Sequence, residues 1–74
     1  MQIQLNGERR EIPAGMNVAA MLAHLGLNAA RVAIERNLEV LPRAQWGATA
    51  VAEGDRFEIV QFVGGGSDRR PPSR

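Results

Sequence analysis

One segment of this chain carries the pattern of an amphipathic helix, and it is short. Val18, Met21, Leu22 and Leu25 recur at i, i+3, i+4 and i+7, the spacing that gathers four side chains on one helical face. Asn17 ahead of them is a good N-cap, and Gly26 behind them supplies the left-handed residue that closes a helix. Met16 and Met21 fit a hydrophobic staple across the cap. The spacing predicts a helix over Val18–Leu25. A lone stripe of this length has to be buried against a sheet. The 74 residues allow one small domain, which buries only roughly 60% of the surface its unfolded chain exposes. Covalent staples are excluded by the absence of cysteine, which also removes any cysteine-containing zinc site, and the single His24 cannot build a histidine site. The fold must stand on apolar burial alone.

Short alternating segments supply the sheet. Gln2, Ile3, Gln4 and Leu5 alternate and are followed by Asn6-Gly7, a strong hairpin pair, and then by Arg10-Glu11-Ile12. Pairing Ile3 with Ile12 implies a four-residue loop and sets Arg10 beside Leu5, its aliphatic stem at the rim of the core. Pro13-Ala14-Gly15 breaks the chain before the helix. Arg31–Arg36 alternates again, Asn37-Leu38-Glu39 turns, and Val40-Leu41 forms a short strand stopped by Pro42. An irregular or single helical turn is expected over Pro42–Trp46, with Trp46 covering the end of the core. Ala48–Ala52 reads as extended, Glu53-Gly54-Asp55 as a tight turn, and Arg56–Val63 as the longest strand. The resulting order suits an α+β domain of β-grasp (ubiquitin-like) architecture: a small mixed sheet with one main helix, first and last strands adjacent at its centre.

The longest apolar run, Val18–Ala23, falls far short of the ~20 residues of a membrane span, and the N-terminus lacks the basic start and apolar stretch of a secretory signal. A cytoplasmic protein without a membrane partner is expected. All nine basic residues are arginine. The first 66 residues hold six Arg against seven acids, whereas the last eight hold three Arg against one. The basic pI therefore comes from the end of the chain, and the slightly acidic body argues against a nucleic-acid partner.

That end reads Val63-Gly64-Gly65-Gly66 and then Ser67–Arg74, rich in Pro and Arg. It divides the chain into a domain over residues 1–66 and a disordered extension over 67–74. The glycines are no phosphate cradle, because the spacing of that motif and its lysine are both missing. Two readings stand. The glycines are a linker or frayed end, or they form an arm without Cβ atoms that threads a narrow channel in a partner enzyme and presents a carboxylate there.

Several segments resemble the ThiS family, the ubiquitin-like sulfur carriers of bacterial thiamine biosynthesis: Ile3-Gln4-Leu5-Asn6-Gly7-Glu8, Glu35-Arg36-Asn37, Val40-Leu41-Pro42-Arg43-Ala44-Gln45-Trp46, and Gly54-Asp55 through Gly66. The resemblance covers Met1 to Gly66. It implies a carrier with no bound cofactor, not a catalyst. The terminal glycine of such carriers is adenylated with ATP by a ThiF-like enzyme related to ubiquitin-activating enzymes. Sulfur from a cysteine desulfurase route then displaces AMP, and the thiocarboxylate serves a ThiG-like thiazole synthase. On this chain the modified residue is Gly66, with Gly64 and Gly65 as the threading arm. Family members usually end at the glycines; here Ser67–Arg74 follow, so a tail-removing protease is expected. Alternatives are a carrier like the small subunit of molybdopterin synthase, and a plain β-grasp interaction module.

In the last strand Phe57, Ile59 and Val63 share one face, with Glu58, Val60 and Phe62 on the other. A single helix covers one face only. Val60, Phe62 and neighbouring Val63 are thus candidates for a partner-binding patch, although Phe62 folding over the core edge is an equal reading. Trp46 is expected as core cover, His24 as a solvated helix residue, and Glu35-Arg36-Asn37 as a strand end leading into a turn.

Overall fold

The computed structural model describes residues 1–62. Strands β1 (Gln2–Leu5) and β2 (Glu8–Glu11) form a hairpin, followed by helix α1 (Val18–His24) and a 3-10 turn at Ala29–Arg31. Then come β3 (Val32–Arg36), β4 (Glu39–Val40), a second 3-10 segment at Arg43–Ala48, and β5 (Arg56–Gln61). The five strands make one sheet in the order β2-β1-β5-β3-β4. β1 and β5 run parallel at its centre and the other pairs are antiparallel. This is the β-grasp arrangement expected from the element order.

The helix forms where the stripe placed it. The Asn17 side chain accepts from the Ala20 amide at 2.8 Å, and Gly26 leaves the helix at φ +76°. The last helical residue is His24, with Leu25 as the cap. Val18, Met21 and Leu22 are fully buried. They close one core with Ile3, Val32, Ile34, Phe57 and Ile59 from the inner face of the sheet, completed by Ile12, Trp46 and Val51. Each such side chain contributes roughly 1.5–3 kcal/mol of burial.

The hairpin corrects one expectation. Leu5 pairs with Glu8 across a two-residue turn, so Ile3 faces Arg10 and not Ile12. Asn6 and Gly7 sit at φ 51° and 84°, the two left-handed positions that let a tight turn match the strand twist. This tighter turn slips the register by two residues, which leaves every side chain on its expected face. Ile12 stays buried just beyond β2, its amide donating to the Met1 carbonyl at 2.9 Å. The exposed Glu8–Glu11 segment is a fully charged edge strand, a composition that discourages pairing with other chains.

Ala48–Ala52 contributes only a single bridge, Asn17 to Ala50. β5 ends at Gln61, and Val63 lies outside the described residues. Trp46 is buried as core cover, its Nε1 donating to the Leu41 carbonyl at 2.9 Å and the Arg43 guanidinium stacked 4.7 Å from its ring centre. Arg43 also donates to the carbonyls of Ala29 and Val32. The Pro42-Arg-x-x-Trp46 pattern therefore closes the open end of the core.

Candidate docking face at the end of the central strand

β5 positions everything that follows it, and it is held on both sides. Toward β1, the Gln4 amide donates to the Asp55 carbonyl at 2.9 Å and the Asn6 amide to the Phe57 carbonyl at 2.8 Å. β1 turns away there, and the Asn6 side chain continues the ladder: its Oδ1 accepts from the Ile59 amide at 2.7 Å and its Nδ2 donates to the Ile59 carbonyl at 3.2 Å. Toward β3, pairing runs from Arg36–Phe57 to Val32–Gln61. It closes with the Phe62 amide donating to the Arg31 carbonyl at 2.7 Å. The backbone is thus fixed up to the last described residue.

At its start, β5 is anchored by a buried carboxylate. Asp55 is 6% exposed. Its Oδ2 accepts from the Ala52 amide at 2.9 Å and from Arg36 Nε at 3.0 Å, and its Oδ1 accepts from Asn37 Nδ2 at 3.2 Å. The Asn37 side chain returns a bond to β5, accepting from the Arg56 amide at 2.9 Å. Burial pushes the Asp55 carboxyl upward, but the Ala52 amide, the Asn37 amide group and the Arg36 guanidinium together outweigh it and hold it below its ordinary value. By sequence alone Asp55 reads as a turn residue and Glu35-Arg36-Asn37 as a strand end leading into a turn. Arg36 and Asn37 instead clamp the entry of β5 from across the sheet.

Among the described residues no helix lies on the outer face of the sheet. Val60 and Phe62 are 61% and 54% exposed, so of the two readings of Phe62 the exposed one holds. They are joined by two residues that sequence reading left out of the site. Val40, opposite Glu35 in the register, is 75% exposed, and Leu38 is 72% exposed. An open concavity lies among Ala33, Glu35, Leu38, Val40, Glu58 and Val60, and Phe62 borders a second beside Val40, Pro42 and Arg43. Leu38 adopts φ 73°, a region that strongly disfavours a bulky side chain. An exposed leucine at such a position carries backbone strain and returns no core burial for it. Leu38→Gly is expected to stabilise the isolated domain, by about 0.5–1 kcal/mol in urea unfolding, while weakening partner binding.

Candidate modification and arm residues Gly64, Gly65 and Gly66, and candidate contact Val63, lie outside the described residues. His24 is exposed on the helix, as expected. Among the described residues no helix is long and apolar enough to cross a membrane.

Among the described residues, the parallel central strands, one main helix and the bare apolar face together define a small ubiquitin-like protein of β-grasp architecture. The sequence model of the ThiS family matches residues 3–66, and the chain belongs to that family. The chain is 33% identical over 66 residues to the sulfur carrier protein ThiS of Escherichia coli, covering 89% of this chain and 100% of that protein. Its structure superposes on the crystal structure of the thiamine biosynthesis protein ThiS from Geobacter metallireducens with a TM-score of 0.76, at 36% identity over 89% of this chain and 100% of that one. It is also 48% identical over 69 residues to a thiazole synthase of Paramagnetospirillum magneticum, covering 93% of this chain and 21% of that protein. The chain spans about a fifth of the length of the thiazole synthase relatives it matches.

Proposed function

We propose that the chain is a sulfur carrier for thiazole formation in thiamine biosynthesis and that the Gly66 carbonyl carries the sulfur, with Gly64 and Gly65 as the arm that reaches a partner's active site and Val60, Phe62 and Val63 as contacts beside it. The observation that carries this reading is the fixed end of β5. The Phe62 amide is bonded to the Arg31 carbonyl at 2.7 Å, and the three glycines begin two residues later. A rigid strand thus delivers a segment without side chains, and an apolar patch stands at its base.

The chemistry follows from the carboxylate. Attack of the Gly66 carboxylate on the α-phosphorus of ATP, in a ThiF-like enzyme related to ubiquitin-activating enzymes, gives an acyl adenylate and pyrophosphate. A persulfide from a cysteine desulfurase route then displaces AMP to give an acyl disulfide, and a second thiol attacks its outer sulfur, forming a new disulfide and releasing the thiocarboxylate for a ThiG-like thiazole synthase. ATP is the partner's substrate, and the carrier binds no cofactor of its own. The reactions belong to the cytoplasm.

Gly66 is joined to Ser67 by an amide bond, so hydrolysis of that bond by a protease must precede adenylation. The domain proper is then 1–66, and 67–74 is a removable extension. A second reading has one observation in its favour. The 69 residues matched in the Paramagnetospirillum thiazole synthase exceed the 66 that end at Gly66, so the likeness runs into the extension, which then serves as a junction to a larger protein.

Intact mass of the endogenous protein, isolated from cells deprived of thiamine, decides between them. We expect a species ending at Gly66 and heavier by the difference between one sulfur and one oxygen atom. A species that keeps 67–74 while thiazole is being made defeats the processing step.

A further inference from the structure

Glu35 and Glu58 are directly opposite each other on β3 and β5. Both are exposed on the outer face of the sheet. Like charges in directly opposed positions repel and destabilise a sheet. Among the described residues neither carboxylate is within ion-pair distance of a cation. Arg56, which shares the face two residues before Glu58, pairs with neither. Exposed Leu38, Val40 and Val60 flank the two acids. The face is therefore built for an occupant with positive charge and some apolar surface.

The chain itself contains such a segment. Residues 67–74 hold Arg69, Arg70 and Arg74 against Asp68, with the apolar rings of Pro71 and Pro72 between the arginines. Arg69 is seven residues beyond Phe62, a reach of up to about 23–25 Å. Glu58 lies four residues back along the strand from Phe62, about 14 Å. Gly64–Gly66 admit the left-handed backbone that a reversal of direction requires. Tethering replaces a weak bimolecular contact with an intramolecular one at roughly millimolar effective concentration.

We propose that segment 67–74 seats on the outer face of its own sheet, Arg69 and Arg70 against Glu35 and Glu58, and Pro71 and Pro72 against Leu38 and Val40. Cutting after Gly66, the step that the proposed carrier chemistry requires, removes this segment from the chain. The seating itself does not depend on that chemistry, so the two stand or fall separately.

The test uses the full 74-residue chain. Because the protein contains no cysteine, Ser73→Cys accepts a single nitroxide label. We expect the amide signals of Ala33, Glu35, Leu38, Glu58 and Val60 to broaden in the oxidised sample and recover on reduction. The broadening should disappear in the Arg69→Glu/Arg70→Glu variant and in Glu35→Gln/Glu58→Gln, and fade at about 0.5 M salt, where screening shortens to ~4 Å. Neither double variant touches the core, and unchanged inner-face signals from Ile34 and Phe57 report that each is folded. Broadening confined to residues next to Phe62, or insensitive to both charge changes, overturns the proposal. So does broadening of unlabelled protein mixed with labelled protein, which assigns the face to a second copy.

Discussion

Replacing Asp55 with alanine is expected to destabilise the domain by about 3 kcal/mol, the largest loss available to a single polar side chain in this structure. The carboxylate is 6% exposed and takes three hydrogen bonds, from Ala52, Arg36 and Asn37. Its removal strands a backbone amide and a guanidinium that is itself only partly solvated, and each unsatisfied donor costs about 1–3 kcal/mol. A chain of this size has a total stability on the order of 5–10 kcal/mol, so urea unfolding should show a large fall in midpoint with little change in slope. The acid limb gives an independent reading. Asp55 is held below its ordinary value in the folded state, so its contribution is complete above the unfolded value of about 4 and is lost as the pH falls through the depressed folded value. The wild-type melting temperature should drop across that window. In Asp55→Asn, which cannot titrate, the melting temperature should start lower and fall less steeply. An Asp55→Ala variant as stable as wild type would show that β5 is anchored elsewhere.

The core and the turns were legible because their signals are local. Asn17, Gly26 and the i, i+3, i+4, i+7 stripe are local signals that place the helix without knowledge of any neighbour. Alternation around Ile34 and Ile59 fixed which side of each strand is buried. Loop length was less secure, since Asn6-Gly7 permits a two-residue turn that pairing by hydrophobic match alone did not select. The site was half legible. Val60 and Phe62 followed from parity with Phe57 in one strand. Val40 and Glu35 required the β3–β4 register, Glu35 and Glu58 required the β3–β5 register, and Leu38 required a dihedral angle. The Asp55 clamp was invisible for the same reason: its side-chain partners lie 18 and 19 residues away and meet it only across the folded sheet. Sequence periodicity reports which face a residue takes. It does not report which residues of two strands end up opposed, and both the clamp and the acidic pair are products of opposition.

Phe62→Asp is expected to weaken binding to the proposed adenylating partner by about 30- to 100-fold while leaving the domain folded. The two halves of this expectation rest on different observations. Phe62 is 54% exposed and lies beyond the last strand residue, so an aspartate there removes little buried area and its charge stays in water; urea stability should move by no more than about 0.5 kcal/mol. Its backbone bond to Arg31 uses the amide and survives any side-chain change. Binding is another matter. An aromatic ring at the base of the glycine arm, beside Val40 and the Arg43 corner, is placed to be enclosed by whatever grips that arm, and enclosed aromatic side chains carry a disproportionate share of interface energy. A carboxylate in the same place must be desolvated on docking. Titration calorimetry of the chain ending at Gly66 against the adenylating enzyme of the same organism measures the loss directly, with Phe57→Ala as the contrasting control. Phe57 is 1% exposed, and its truncation should cost about 3–5 kcal/mol of stability and abolish binding by unfolding. If Phe62→Asp behaves like Phe57→Ala, the ring belongs to the core and the docking face must be sought elsewhere on the sheet. If it folds and binds like wild type, the partner holds the arm by its backbone alone.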